Sequence, residues 1–242
     1  MSSDIPGIPP LPPPPLPPSA PYGDAPADGL PWERRAELGF VNAFVETIKL
    51  LMTSPGDAWR RTKEKGDYAE PLIFAILVSW IGIAVSSVWS SLFGQAWTSL
   101  LPPELKAKIG SAMAANAGML LIQVGLAPVF VLIGLFVGAA IYHVSFLIVG
   151  ATKDSTSGFE GTFRTVSYSS VSQLANVIPF VGWLIALVWS PILMVMGAVR
   201  MHRTTQGRAI AGILIPFLVC CTCVVIVLGL VIGGLFAAFR NS

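Results

Sequence analysis

Four long apolar runs dominate the chain after its first 70 residues, at about 71–94, 119–149, 181–199 and 209–239. Each reaches or exceeds the ~20 residues an α-helix needs to cross ~30 Å of hydrocarbon. The second and the last are longer than that by about half, which predicts helices that tilt, kink or protrude. Pro128 and Pro216 lie inside them as natural kink sites.

The stretch between the second and third runs, 162–180 (TFRTVSYSSVSQLANVIPF), follows a different pattern. On a helix at about 100° per residue, Thr165, Ser169, Ser172 and Asn176 fall within an arc of roughly 60°. Thr162 and Gln173 flank that arc, while Val171, Leu174 and Ile178 lie opposite. This is an amphipathic helix. It either crosses the membrane with its polar stripe against other helices or lies flat in the interface. The stripe Thr165, Ser169, Ser172, Gln173 and Asn176 is the candidate functional feature of the bundle.

Two more helices are predicted beside the spans. In Ala36–Met52, Phe40, Phe44, Ile48 and Leu51 recur at helical spacing, with Glu37, Asn42, Glu46 and Lys49 elsewhere on the helix. That pattern suits an amphipathic helix at a membrane surface. Arg60, Arg61, Lys63 and Lys65 follow and could meet anionic headgroups, with Glu64 and Asp67 weakening the patch. Pro102–Asn116 reads as a short separate helix in the loop after the first span, with Leu105, Ile109 and Met113 on one side. Residues 1–31 are dominated by proline and lack both a basic n-region and an apolar h-region, so no signal peptide is expected there. Proline fixes φ and removes amide donors, which predicts an extended, disordered polyproline-type tail.

Charge settles the number of crossings. Only 12% of residues are charged, against about 25% in a typical soluble domain. The four apolar runs contain no Asp, Glu, Lys or Arg. With 162–180 crossing and the N-terminus inside, twelve basic residues lie inside and three outside. If it does not cross, the cluster Arg200, Arg203 and Arg208 moves outside and the split becomes ten to five. The positive-inside rule therefore favours five spans, N-terminus cytoplasmic and C-terminus outside.

Little in the spans resembles chemistry. His143 is the one His, Asp, Glu, Lys or Arg in the four apolar runs, near the end of the second, and is a candidate intramembrane polar group. Gly134 with Gly138, and Gly229 with Gly233, have the small-xxx-small spacing that lets membrane helices approach, and are expected to pack within the chain. Cys220, Cys221 and Cys223 sit within an apolar run without further metal ligands, and ordinary packing is expected of them. There is no HExxH motif and no intramembrane acid pair. No catalytic residue, metal site or cofactor is expected.

The segment Gly158–Trp189 (GFEGTFRTVSYSSVSQLANVIPFVGWLIALVW) resembles the central part of the Yip domain, found in five-span Ypt/Rab-interacting membrane proteins. Met196–Ile215 resembles that family's link into its last span. Asp67-Tyr68-Ala69-Glu70-Pro71 is similar to the Asp-Leu-Tyr-Gly-Pro element of eukaryotic members, with the Tyr one position earlier and Glu70 in place of Gly. Tyr168 stands where the third span carries a Gly-Tyr pair, with Ser167 in place of the Gly. The likeness covers about 44–235 and is nearest the bacterial-type branch. It implies a non-enzymatic integral membrane protein; eukaryotic relatives organise vesicle traffic by binding Rab-type GTPases through a cytosolic N-terminal region.

The expectation is an all-α polytopic bundle of five spans: a disordered tail (1–35), a cytoplasmic amphipathic segment (36–66) and a Yip-like membrane domain (67–240). It would sit in a bacterial cytoplasmic membrane and scaffold or recruit partners. Membrane lipids, a protein at the N-terminal region and a second copy of the chain are the expected partners; nucleic acid is not. The alternative function is a small-solute permease or channel lined by the polar face of the third span.

Overall fold

Periodicity of apolar and polar residues becomes helix through most of the region that the computed structural model describes. That region is residues 29–240, with side chains described except at 104, 106–117, 230 and 232–240. A 3-10 turn (Pro31–Arg34) leads into α1 (Arg35–Leu38), α2 (Phe40–Thr53) and α3 (Pro55–Arg61). Then follow α4 (Ala69–Ser99), α5 (Pro103–Ile148), α6 (Gly158–Ser169), a 3-10 segment (Ser170–Val177), α7 (Gly182–His202) and α8 (Gln206–Arg240).

Within the described residues, four helical stretches are long and apolar enough to cross a membrane: Ala69–Ser99, Gly118–Ile148, Gly182–His202 and Gln206–Gly229. Their outer faces carry exposed Leu121, Phe130, Val188 and Val225. In water such surface would be hidden; in lipid it is the solvated face.

Three expectations need correction. The helix foreseen at Ala36–Met52 is two pieces broken at Gly39, whose φ of 79° ends α1 and starts α2. The helix expected at Pro102–Asn116 is not separate, because α5 runs unbroken for 46 residues through it and the second span. The segment 162–180 is not one α-helix. It begins at Gly158, tightens to 3-10 geometry at Ser170 and stops at Val177. The cause is local: Ser170 and Ser172 hydroxyls donate to the carbonyls three residues back, Ser167 and Ser169, which favours the tighter winding. Twelve α and eight 3-10 residues extend about 34 Å, since the 3-10 form rises ~2.0 Å per residue against ~1.5 Å. A short polar segment thereby gains the length of a longer helix.

The contacts fix how the helices run. Tyr68 lies on Phe136, and Trp80 Nε1 donates to the Val124 carbonyl at 3.0 Å, so α5 returns antiparallel to α4. Phe74 packs on Tyr168, and Trp89 Nε1 donates to the Val177 carbonyl at 2.8 Å, so α6 and its 3-10 extension run parallel to α4. The chain then turns at Pro179–Val181, with Phe180 at a φ of 65°. The bare Cα of Gly182 makes this reversal possible, because a Cβ there would lie 2.1 Å from the Ala175 carbonyl oxygen. α7 returns beside α6, ending where Ser157 Oγ donates to the Met201 carbonyl at 2.7 Å. Phe146, Ala198, Ala209 and Ile213 form one core cluster, which sets the start of α8 beside the ends of α5 and α7.

The N-terminal elements belong to this bundle. Leu30, Trp32, Leu51, Ala58 and Trp59 share a core with Phe74 and Val78 of α4, Tyr168 and Val171 of the third segment, and Leu193 of α7. Trp32 N–H donates to Thr47 Oγ1 at 2.8 Å and its indole to the Glu70 carbonyl at 2.7 Å. Residues 29–35, expected in the disordered tail, are thus ordered; residues 1–28 lie outside the described region.

Close helix approach occurs at other glycines than those expected. A methyl group placed on Gly134, Gly138 or Gly229 would have nothing within 4 Å, and the surroundings of Gly233 lie outside the described residues. The tight contacts between helices include Gly82, against the Gln173 backbone, Gly197, against Trp59 and Thr165, and Gly212, against the Phe146 ring. A Cβ at Gly82 would sit 2.6 Å from the Gln173 carbonyl oxygen. Gly82→Ala should therefore lower stability by about 1–3 kcal/mol, as overpacking does. Gly134→Ala should be neutral or gain up to about 1 kcal/mol from helix propensity. Thermal unfolding of both variants in mild detergent checks the contrast.

Candidate functional site

Polar side chains converge at the end of the bundle where α4, α6 and α8 begin and α5 and α7 end. The deepest group is built on Glu33. Pro31 starts the first 3-10 turn, and Glu33 Oε2 folds back to accept the Leu30 amide at 2.9 Å and the Lys63 amide at 3.2 Å. Its other oxygen accepts from Arg164 Nη1 at 2.7 Å and from the Tyr168 hydroxyl at 3.0 Å. Four donors saturate the roughly four acceptor positions of a carboxylate. Arg164 spends its fork elsewhere too: Nε donates to Glu160 at 2.9 Å and Nη2 to the Asp67 carbonyl at 2.9 Å. The side chains of Glu33 and Arg164 are both fully buried. Burial pushes the Glu33 carboxyl above its ordinary range, and the Leu30 amide, Arg164, the Lys63 amide and Tyr168 oppose that push. Gly66 leaves room for the guanidinium, since a Cβ there would lie 2.5 Å from Arg164 Nη2. One side chain of α6 thus holds the first turn of the N-terminal cap (residues 29–66) and the connection into α4.

Beside it runs a chain of neutral-type hydrogen bonds. His143 Nδ1 meets Thr162 Oγ1 at 2.8 Å, Thr162 meets His202 Nε2 at 2.9 Å, and His202 Nδ1 meets Ser155 Oγ at 2.9 Å. With both rings neutral the chain is self-consistent in either direction: both imidazoles donate from Nδ1 and Thr162 donates to His202, or Ser155 donates to His202, His202 Nε2 to Thr162 and Thr162 to His143. Ser155 also accepts the Gly158 amide at 3.2 Å, at the start of α6. The chain therefore ties α5, α6 and α7 together. Among the described residues, no three His, Cys, Asp or Glu lie together as a metal site would require.

At the rim, Glu64 joins the cap to α7. It accepts from Arg200, from Arg203 at 3.1 Å and from the Thr156 hydroxyl at 3.0 Å. Partial burial works against its ionisation, but the Arg200 and Thr156 hydrogen bonds and the two guanidinium charges hold its carboxyl below the usual range.

The residues singled out from sequence are distributed unevenly around this end. His143 is part of the hydrogen-bonded chain. Thr165, Ser169 and Ser172 are buried; Thr165 donates to the Gly161 carbonyl and Ser172 to the Ser169 carbonyl, on their own segment. Gln173 and Asn176 sit at the far end and bond each other at 2.9 Å. Cys220, Cys221 and Cys223 are exposed on α8, not packed inside as expected. Sequence reasoning passed over Glu33, Arg164 and His202. Arg164 carried a signal, since an arginine inside a segment enclosed by helices demands a buried acceptor.

The sequence matches the family model described as the Yip1 domain over residues 49–235, more than half of the chain. The chain belongs to the Yip1 domain family. The matched region begins within α2, ends within α8 and contains Arg164, Tyr168, His143 and His202; Glu33 lies ahead of it. No curated protein and no solved structure matches the chain. This Yip1-domain protein is an integral membrane protein by family and by its apolar helices.

The depressed Glu64 carboxyl has a defined pH signature. Its contribution to stability is complete above the unfolded value of about 4.3 and is lost as pH falls through the lower folded value. Glu64→Gln should lower stability at pH 7 and flatten the acid limb of the stability–pH curve. An unchanged acid limb in the variant would contradict this role of Glu64.

Proposed function

We propose that this Yip1-domain protein is a non-enzymatic membrane scaffold that presents a rigid cap, with the proline-rich tail before it, to a protein partner on the cytoplasmic side. A fifth crossing is part of that reading: the third segment runs beside α4, and its twenty residues from Gly158 to Val177 reach about 34 Å, against a ~30 Å hydrocarbon core. In this arrangement the cap, the α5–α6 and α7–α8 connections and Arg164 share one end, and they hold twelve of the fifteen basic residues. That end is the cytoplasmic one by the positive-inside rule, which leaves the C-terminus outside.

The observation that carries the scaffold reading is the buried Glu33–Arg164–Tyr168 node. It fixes the orientation of the cap relative to the membrane, so whatever docks on the cap is held in a set pose. The outer face of α2 offers exposed Val41 and Val45 beside Asn42, Glu46 and Lys49. A permease lined by the third segment lacks comparable support, because Thr165, Ser169 and Ser172 are packed in protein and bond or abut their own segment.

The test is co-purification from native membranes with the full chain, a chain lacking residues 1–28, and Val41→Asp/Val45→Asp. All three should insert and remain monodisperse. A protein retained by the full chain should be lost from at least one variant. Identical co-purifying proteins in all three would reject recruitment by this face.

A further inference from the structure

Away from the polar node, α7 and α8 diverge to leave a groove of about 1030 Å³. That is at the upper end of the ~300–1,000 Å³ of small-molecule sites. Its walls are apolar, formed by Val195 of α7 and Ile210, Ile213 and Leu214 of α8, and its end at the α7–α8 turn is closed by Arg203 and Thr204. We propose that this groove binds a phospholipid with an anionic headgroup, one acyl chain between α7 and α8 and the phosphate at the turn.

Three observations support that occupant. First, the groove is continuous with the lipid-facing surface, since Ile192, Ile210 and Leu214 are exposed on helices apolar enough to cross a membrane. Second, charge is in surplus at its polar end. Arg200 alone can neutralise Glu64, and Arg203, about half exposed, makes a second contact with the same carboxylate, while Arg208 follows on the first turn of α8. Third, donors there are unspent. The amides of Gln206 and Gly207 precede the first intrahelical bond of α8, from Ala209 N–H to the Thr205 carbonyl. Guanidinium and helix-start amides together suit a phosphate, and the apolar walls suit a hydrocarbon tail. The proposal depends on membrane insertion and not on the scaffold role.

The experiment is native mass spectrometry of the purified full chain in mild detergent, titrated with dioleoyl phosphatidylglycerol or dioleoyl phosphatidylcholine. One phosphatidylglycerol should be retained, at least about tenfold more tightly than phosphatidylcholine, the scale of a charge-assisted contact. Arg203→Gln should weaken retention by about tenfold. Arg61→Gln, an exposed basic residue of the cap, should leave it unchanged. Ile210→Trp, which fills the groove from an exposed position, should abolish it. Dihexanoyl phosphatidylglycerol, with chains too short to fill the groove, gives the same information without a substitution and should bind at least tenfold more weakly. Equal retention of the two dioleoyl lipids, equal loss in Arg61→Gln and Arg203→Gln, or displacement by sodium phosphate at equimolar concentration would each overturn the proposal.

Discussion

A buried arginine in a membrane protein has to be answered by a carboxylate and by enough acceptors for the rest of its donors. In this chain the pairing of Arg164 with Glu33 meets that demand, and most of the architecture at one end of the bundle is arranged around it. The two side chains are fully buried and 2.7 Å apart. Removing one partner of such a pair costs about 3–5 kcal/mol, because the other is left charged and unpaired. The pair lies 131 residues apart in sequence, so it closes a long loop that contains the cap and the first two spans. Its stability contribution is not the main point. The pair decides where the first turn of the cap must lie.

The third segment follows from the same constraint. It is too polar to face lipid, and it need not: α4, α5 and α7 surround it, and the N-terminal cap covers the side carrying Tyr168 and Val171. Enclosure removes the requirement for apolarity on every face. Serine hydroxyls bonded to carbonyls three residues back then wind its second half into 3-10 form, which lengthens it. A polar segment, a docked cap and a buried ion pair are one solution to one problem. The His143–Thr162–His202 chain repeats the logic with neutral groups, joining α5, α6 and α7 through hydrogen bonds.

Much of this was written in the sequence where the physics is local. Runs of apolar residues long enough to span a bilayer can be read directly, and the four helices lie close to where those runs predict them. The amphipathic period of α2 correctly turns Leu51 inward and brings Phe44 and Ile48 to the core, but leaves Phe40 more than half exposed. The serines of the third segment announced a stripe that wanted neighbours. What the sequence could not show was which neighbours. Thirteen acidic residues were available to Arg164, and only the folded chain selects Glu33. Glycine spacing misled for a similar reason. Gly134 and Gly138 look like a packing motif, yet close approaches fall at Gly82, Gly197 and Gly212, where a carbonyl, an indole and a phenyl ring arrive from distant segments.

The coupling of Glu33 to Arg164 tests this account most directly, through a double-mutant cycle of Glu33→Gln and Arg164→Gln measured by reversible unfolding in mild detergent. Each single variant should lose about 3–5 kcal/mol. The double variant should lose clearly less than the sum, with a coupling of about 1–3 kcal/mol. Additive losses would mean that the two side chains act independently, and the cap would then be held by its aromatic core and the contacts of Glu64 and Trp32.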